Sequence, residues 1–135
     1  MLNALLNSPK ISVLEKALSA SSLRNKVISN NIANVNTPDF KKSEVSFEEQ
    51  LEGAMNNSKI SVAKTHERHF PIKQHSIEPS INTITTTSLR SDGNNVDIDV
   101  EMANLAKNSI YYDAVAQQIS KYFASIKSAI NEGKR

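Results

Sequence analysis

Residues 102–130 read MANLAKNSIYYDAVAQQISKYFASIKSAI, and the spacing of the large side chains in this stretch decides the fold class. Met102, Leu105, Ser109, Tyr112, Ala116, Ile119, Phe123, Ile126 and Ile130 follow one another in alternating steps of three and four. Those steps return to one side of an α-helix and, sustained over several turns, make a coiled-coil seam. Tyr111, Val115, Tyr122 and Ala129 widen that side beyond a single seam. Asp97 or Asp99 can cap the start, and Glu101 suits the positive end of the helix dipole. Lys127, Lys134 and Arg135 suit its negative end, and Gly133 marks the stop. A C-terminal helix over 97–132 is predicted.

Working outward, a second helix precedes it. Asn7-Ser8-Pro9 offers a capping hydroxyl followed by a proline at the first helical position, where the missing amide costs nothing. From there Ile11, Leu14, Leu18, Ser21, Asn25, Ile28, Ile32 and Val35 repeat the three-and-four spacing. Pro38 ends the helix by Thr37, so the prediction is 8–36.

Residues 37–96 differ in kind, holding three of the four prolines and two of the three glycines. Ser46-Phe47-Glu48-Glu49 fits a capping box, and Phe47, Leu51 and Met55 recur every fourth residue, predicting a short helix to about Ala54 weakened by Gly53. Residues 60–63 and 81–87 are β-branched and alternating, as in strands. Residues 67–80, with Pro71 and Pro79, and Ser91-Asp92-Gly93-Asn94-Asn95 read as loops or turns. The expected fold is mainly α: a single unit whose long terminal helices pair as a coiled coil around a small insertion with a short helix and β or irregular segments.

Composition excludes several functions. Lys and Arg number 16 against 14 Asp and Glu, with no basic block, which argues against nucleic acid or an anionic membrane as partner. There is no cysteine, hence no disulfide and no thiolate metal site. His66, His69 and His75 lie close in sequence, but a zinc hydrolase helix needs histidines four apart with a glutamate base, and His66-Glu67-Arg68-His69 has them three apart. Asp92-Gly93-Asn94-Asn95-Val96-Asp97-Ile98-Asp99 is rich in oxygen ligands but misplaces both the glycine and the closing glutamate of a calcium loop, and a turn running into a helix cap accounts for it. With no phosphate loop and no nucleophile triad, no catalytic residue, cofactor, metal or small-molecule substrate is expected. Residues 1–7 lack the basic and long apolar regions of a secretory signal. The expectation is therefore a chain made in the cytosol that leaves, if it leaves, without a cleaved signal peptide.

Asn25, Asn30, Asn31, Asn34 and Asn36 crowd the end of the first helix, where each costs helix propensity relative to alanine. They belong to a longer string, Ser29-Asn30-Asn31-Ile32-Ala33-Asn34-Val35-Asn36-Thr37-Pro38-Asp39-Phe40-Lys41. That string resembles the N-terminal signature of the flagellar rod, hook and related axial proteins, in which an NNIAN run leads into a TPG-aromatic turn. Asn30, Asn31, Ile32, Ala33, Asn34, Thr37, Pro38 and Phe40 are the signature positions that the resemblance implies. Asp39 stands where that family usually has glycine, a substitution that Asp tolerates better than most residues if the position needs a positive φ.

The short length, the stretch from Lys41 to Phe47, Arg68-His69, residues 92–101, and Asn108 with Tyr112 are similar to the small proximal-rod members. The resemblance implies a structural subunit of the basal-body rod, exported by the flagellar type III apparatus. It would assemble with copies of itself, other rod subunits, and basal-body and export-gate components. The expected seam residues are Leu14, Leu18, Ile28 and Val35 on the first helix, facing Leu105, Tyr112, Ile119, Phe123, Ile126 and Ile130 on the last. Another axial rod subunit and a dimeric coiled-coil binding module are the alternatives.

Overall fold

In the computed structural model, which describes residues 9–57, 78–88 and 90–132, two long helices run antiparallel. Helix α1 is Pro9–Ala33 and helix α3 is Ile98–Glu132; Ser21 of α1 meets Asn108 of α3, and Asn31 meets Glu101. Between them lie strand β1 (Ser43–Ser46), helix α2 (Glu48–Asn57) and strand β2 (Ser80–Thr83). The two strands form one antiparallel pair with Ser43 opposite Thr83 and Ser46 opposite Ser80.

Each boundary has a local cause. Asp97 Oδ1 accepts from the amides of Asp99 and Val100 and so caps α3, the first of the two aspartates expected for that role. Helix α1 stops at Ala33 rather than 36, because the amides of Asn34 and Val35 tighten onto Asn31 and Ile32 carbonyls three residues back. Ser46 meets Glu49 through its hydroxyl at 3.2 Å, and α2 continues past Gly53 to Asn57. The strand expected over 81–87 is the shorter β2, and its partner β1 falls where the sequence pattern predicts no strand. The strand expected over 60–63 and the three histidines lie outside the described residues.

The core is small. Ala17 and Ala20 of α1 let Val115 of α3 approach closely, Phe47 at the start of α2 plugs the space, and Leu14, Leu18, Leu51 and Ile119 pack around them. Burying each of the larger side chains is worth about 1.5–3 kcal/mol.

The phase of α3 differs from the seam read off the sequence. Its inward row is Glu101, Leu105, Asn108, Val115, Ile119, Tyr122 and Ile126. Of the expected seam, Leu105, Ile119 and Ile126 are at least partly covered, whereas Tyr112, Phe123 and Ile130 stand exposed. On α1, Ile28 is buried, Leu14 and Leu18 are half-buried, Asn25 is exposed, and Val35 is half-buried beyond the helix end. The apolar arc of α3 is broad enough to leave its rotation open. Two polar pairs fix it: Asn108 with Ser21, and Glu101 with Asn31.

Candidate functional site

At one end of the helix pair, buried asparagines tie the turn after α1 to the segment before α3. Asn31 accepts from the Ser43 amide at 3.0 Å and donates to the Ser43 carbonyl at 2.8 Å and to Glu101 Oε2 at 3.0 Å. Its side chain thereby takes the place of a neighbouring strand along β1. Asn94, fully buried, places Nδ2 within 3.1 Å of the carbonyls of Asn34, Val35 and Thr37. Asn95 accepts from the Lys42 amide and donates to the Ile84 carbonyl. Further along, Asn108 donates to the Ser21 carbonyl at 2.9 Å and accepts from its hydroxyl at 3.0 Å. Among the described residues no buried side-chain nitrogen or oxygen lacks a partner. A polar cluster so completed is rigid and specific, because every alternative arrangement leaves groups unpaired.

The turn itself is left-handed at Asp39, with φ +59°, and its amide donates to the Asp92 carbonyl at 2.9 Å. Opposite it, Gly93 has φ +82°, and a Cβ there would collide with the Asp39 carboxylate. Lys41 Nζ bridges the same loop by donating to the Gly93 and Thr87 carbonyls. Around this turn Asn30, Ala33, Thr37 and Pro38 are exposed, and Ile32, Asn34 and Phe40 are half-buried.

The other feature is an uncovered side of α3. Ile98, Met102, Tyr112, Phe123 and Ile130 form an exposed row flanking the inward one, with Phe123 at 46% exposure; Ile110, on a different side of α3, reaches 72%. Such a row on a single chain is apolar surface awaiting a cover.

The family model described as "Flagella basal body rod protein" matches residues 11–41, which cover α1 from its third residue together with the left-handed turn. Over 127 residues the chain is 40% identical to the flagellar basal body rod protein FlgB of Bacillus subtilis (strain 168), covering 94% of this chain and 97% of that one. It is 35% identical to FlgB of Borrelia hermsii, over 89% and 94% of the two chains. It is 31% identical to FlgB of Proteus mirabilis (strain HI4320), over 88% and 91%. The chain belongs to the FlgB family of flagellar basal body rod proteins.

FlgB proteins are components of a structural assembly, not an enzyme family, which fits a site made of interlocked amides. Among the described residues no helix is long and apolar enough to cross a membrane. The signature residues divide by role in the fold: Asn31 is wholly internal, whereas Asn30, Thr37 and Pro38 face outward. Asn94 and Asn95, expected from sequence as turn residues, and Glu101, expected as a dipole partner, stand instead at the centre of the polar cluster. Consecutive asparagines following Asp-Gly are a signal for a larger role, but Lys42, which Asn95 accepts from, and Asn34, which Asn94 donates to, lie about fifty to sixty residues away in sequence. A last brace is ionic. Arg24 donates to both oxygens of Glu48, at 2.7 and 2.9 Å, and to the Val45 carbonyl at 3.3 Å. The hydrogen bonding from Arg24 to the carboxylate, chiefly, holds Glu48 below its ordinary value.

Proposed function

We propose that this chain is a structural subunit that polymerises through its terminal helices to build the proximal rod, the part of the flagellar basal body that carries motor torque. The observation that carries this reading is the exposed apolar row of α3, lying beside a seam that α1 has already filled. The side chains of the row are 41–51% exposed, so covering each one gains only part of the roughly 1.5–3 kcal/mol that complete burial is worth, and the row as a whole favours neighbouring subunits. Head-to-tail association that does not close produces a helical filament. The clasp formed by Asn31, Asn94, Asn95 and Glu101 suits this task, since it fixes one end of the helix pair without using the outer row. The partners are further copies of the chain, other rod subunits, and basal-body and export-gate components at the rod base. Export from the cytoplasm through the flagellar apparatus delivers the subunit to its place in the periplasmic space.

Deletion of the gene tests this. The expected result is a non-motile strain whose basal bodies lack the rod, with general secretion intact. Complete basal bodies in the deletion strain would overturn the reading.

A further inference from the structure

A groove of about 440 Å³ opens between α1, β1 and the first half of α3, with Arg24, Glu44, Glu48, Glu101 and Lys107 along its walls. Most of these charges are matched within the subunit. Arg24 pairs with Glu48 at 2.7 Å, and Glu44 pairs with Lys42 at 3.0 Å. Glu101 is different. The residue is only 2% exposed, its Oε2 is held by the Asn31 amide, and among the described residues it takes part in no ion pair. No fully buried side-chain oxygen among the described residues lacks a partner, and no hydrogen bond there uses Oε1, so Oε1 opens onto the groove. Lys107 follows Glu101 by six residues, which on an α-helix means about 9 Å along the axis and roughly 120° around it, too far round to close on that oxygen.

A carboxylate so nearly buried, with neutral amide support and no counter-ion, favours a cation that completes it from outside. The chain carries suitable cations at the opposite end of the same helix. Lys121 and Lys127 are exposed on the distal half of α3 and take part in no ion pair among the described residues. Asp99 and Glu101 stand at the beginning of α3, whereas Lys121 and Lys127 lie in its distal half, ahead of the closing Glu132. Within one straight helix the two sites are about 30–39 Å apart and cannot meet. Between copies stacked head to tail along the helix pair, the distal half of one α3 approaches the clasp end of the next.

We propose that the groove at Glu101 receives a lysine ammonium, from Lys121 or Lys127, of a second copy of this chain. The pairing rests on the rod reading above and gives the head-to-tail contact a register. Charge complementarity also adds direction, since a reversed copy would bring acid to acid.

Carbodiimide treatment of isolated basal bodies tests it, because this reagent joins a carboxylate to an amine only where the two are in contact. The expected product, found by mass spectrometry after proteolysis, is a Glu101–Lys121 or Glu101–Lys127 cross-link, which must lie between copies. Glu101→Gln keeps the shape and an acceptor for Asn31; it should retain the melting temperature while incorporation into rods falls at least fivefold. The double variant Lys121→Gln with Lys127→Gln should fall similarly. Incorporated chain without either product, or with Glu101 joined only to Lys107, overturns the pairing but leaves the rod reading standing. So does normal incorporation of the Gln variants. Basal bodies that contain no copy of the chain overturn both.

Discussion

The clasp end and the distal half of α3 belong to one helix pair but are built on opposite principles. At the clasp the buried groups are amides and a carboxylate, Asn31, Asn94, Asn95 and Glu101, each held by named partners within the chain. Along the outer row of α3 the large groups are apolar, and Tyr112, Phe123 and Ile130 are open to water. A polar cluster so interlocked specifies one geometry of the subunit by itself, with only the outer oxygen of Glu101 left for a neighbour. An open apolar row specifies a partner and little geometry until the partner arrives. On the proposed rod reading, the difference gives folding of the subunit to the clasp, and most of its association to the row.

The sharpest break between the two regions comes from placing the same charge in each. Ile28→Asp puts an ion into a buried site and should unfold the subunit, at several kcal/mol. Phe123→Asp should leave stability within about 0.5 kcal/mol, as exposed substitutions do, while removing incorporation into rods. Denaturant melts and basal-body content of both variants check the contrast. If Phe123→Asp unfolds the subunit, the outer row belongs to the fold.

Within the clasp, Asn94→Ala strips the donor from three carbonyls and should cost about 3 kcal/mol, since each buried unsatisfied group costs about 1–3 kcal/mol. Exposed Asn104→Ala is the control, expected to fall within about 0.5 kcal/mol of the parent.

A non-glycine residue at positive φ costs roughly 1–2 kcal/mol, so Asp39→Gly should stabilise by up to that amount. Gly93→Ala should destabilise by more, through its own φ and the collision with the Asp39 carboxylate. Because removing that carboxylate relieves the collision, the double variant should be more stable than the sum of the singles by at least about 0.5 kcal/mol. Strict additivity would mean that the two turns are independent.

The smallest effect is ionic. The Glu48 carboxyl is lowered from 4.5 by Arg24, so the pair's contribution is present above that value and fades as pH falls through the depressed folded value. The side chain is more than half exposed, which limits the pair to under about 1 kcal/mol. Glu48→Gln should flatten the acid limb of the stability curve slightly and leave stability at neutral pH nearly unchanged.

How much of this was legible in the sequence follows from range. The two helices and the short α2 were, because their spacing, caps and prolines are local. Strand β1 was not: Ser43-Glu44-Val45-Ser46 has one large apolar residue, and its position comes from Asn31 and from β2 about forty residues on. The phase of α3 was half legible. Its apolar arc was plain, but which side turns inward depends on Ser21 finding Asn108 and Asn31 finding Glu101, pairings between residues 87 and 70 apart. The signature run was recognisable as a string, and only the fold separates Asn31, which holds β1, from its exposed neighbour Asn30.

Amide hydrogen exchange, followed along the chain in the free subunit and again in assembled rods, tests the division of labour most directly. Amides at residues 27–33 and 98–108 are expected to be strongly protected in the free subunit, those over 119–132 weakly, with a rise over 119–132 on assembly. Equal and strong protection of both regions in the free subunit, unchanged on assembly, would contradict that division of labour.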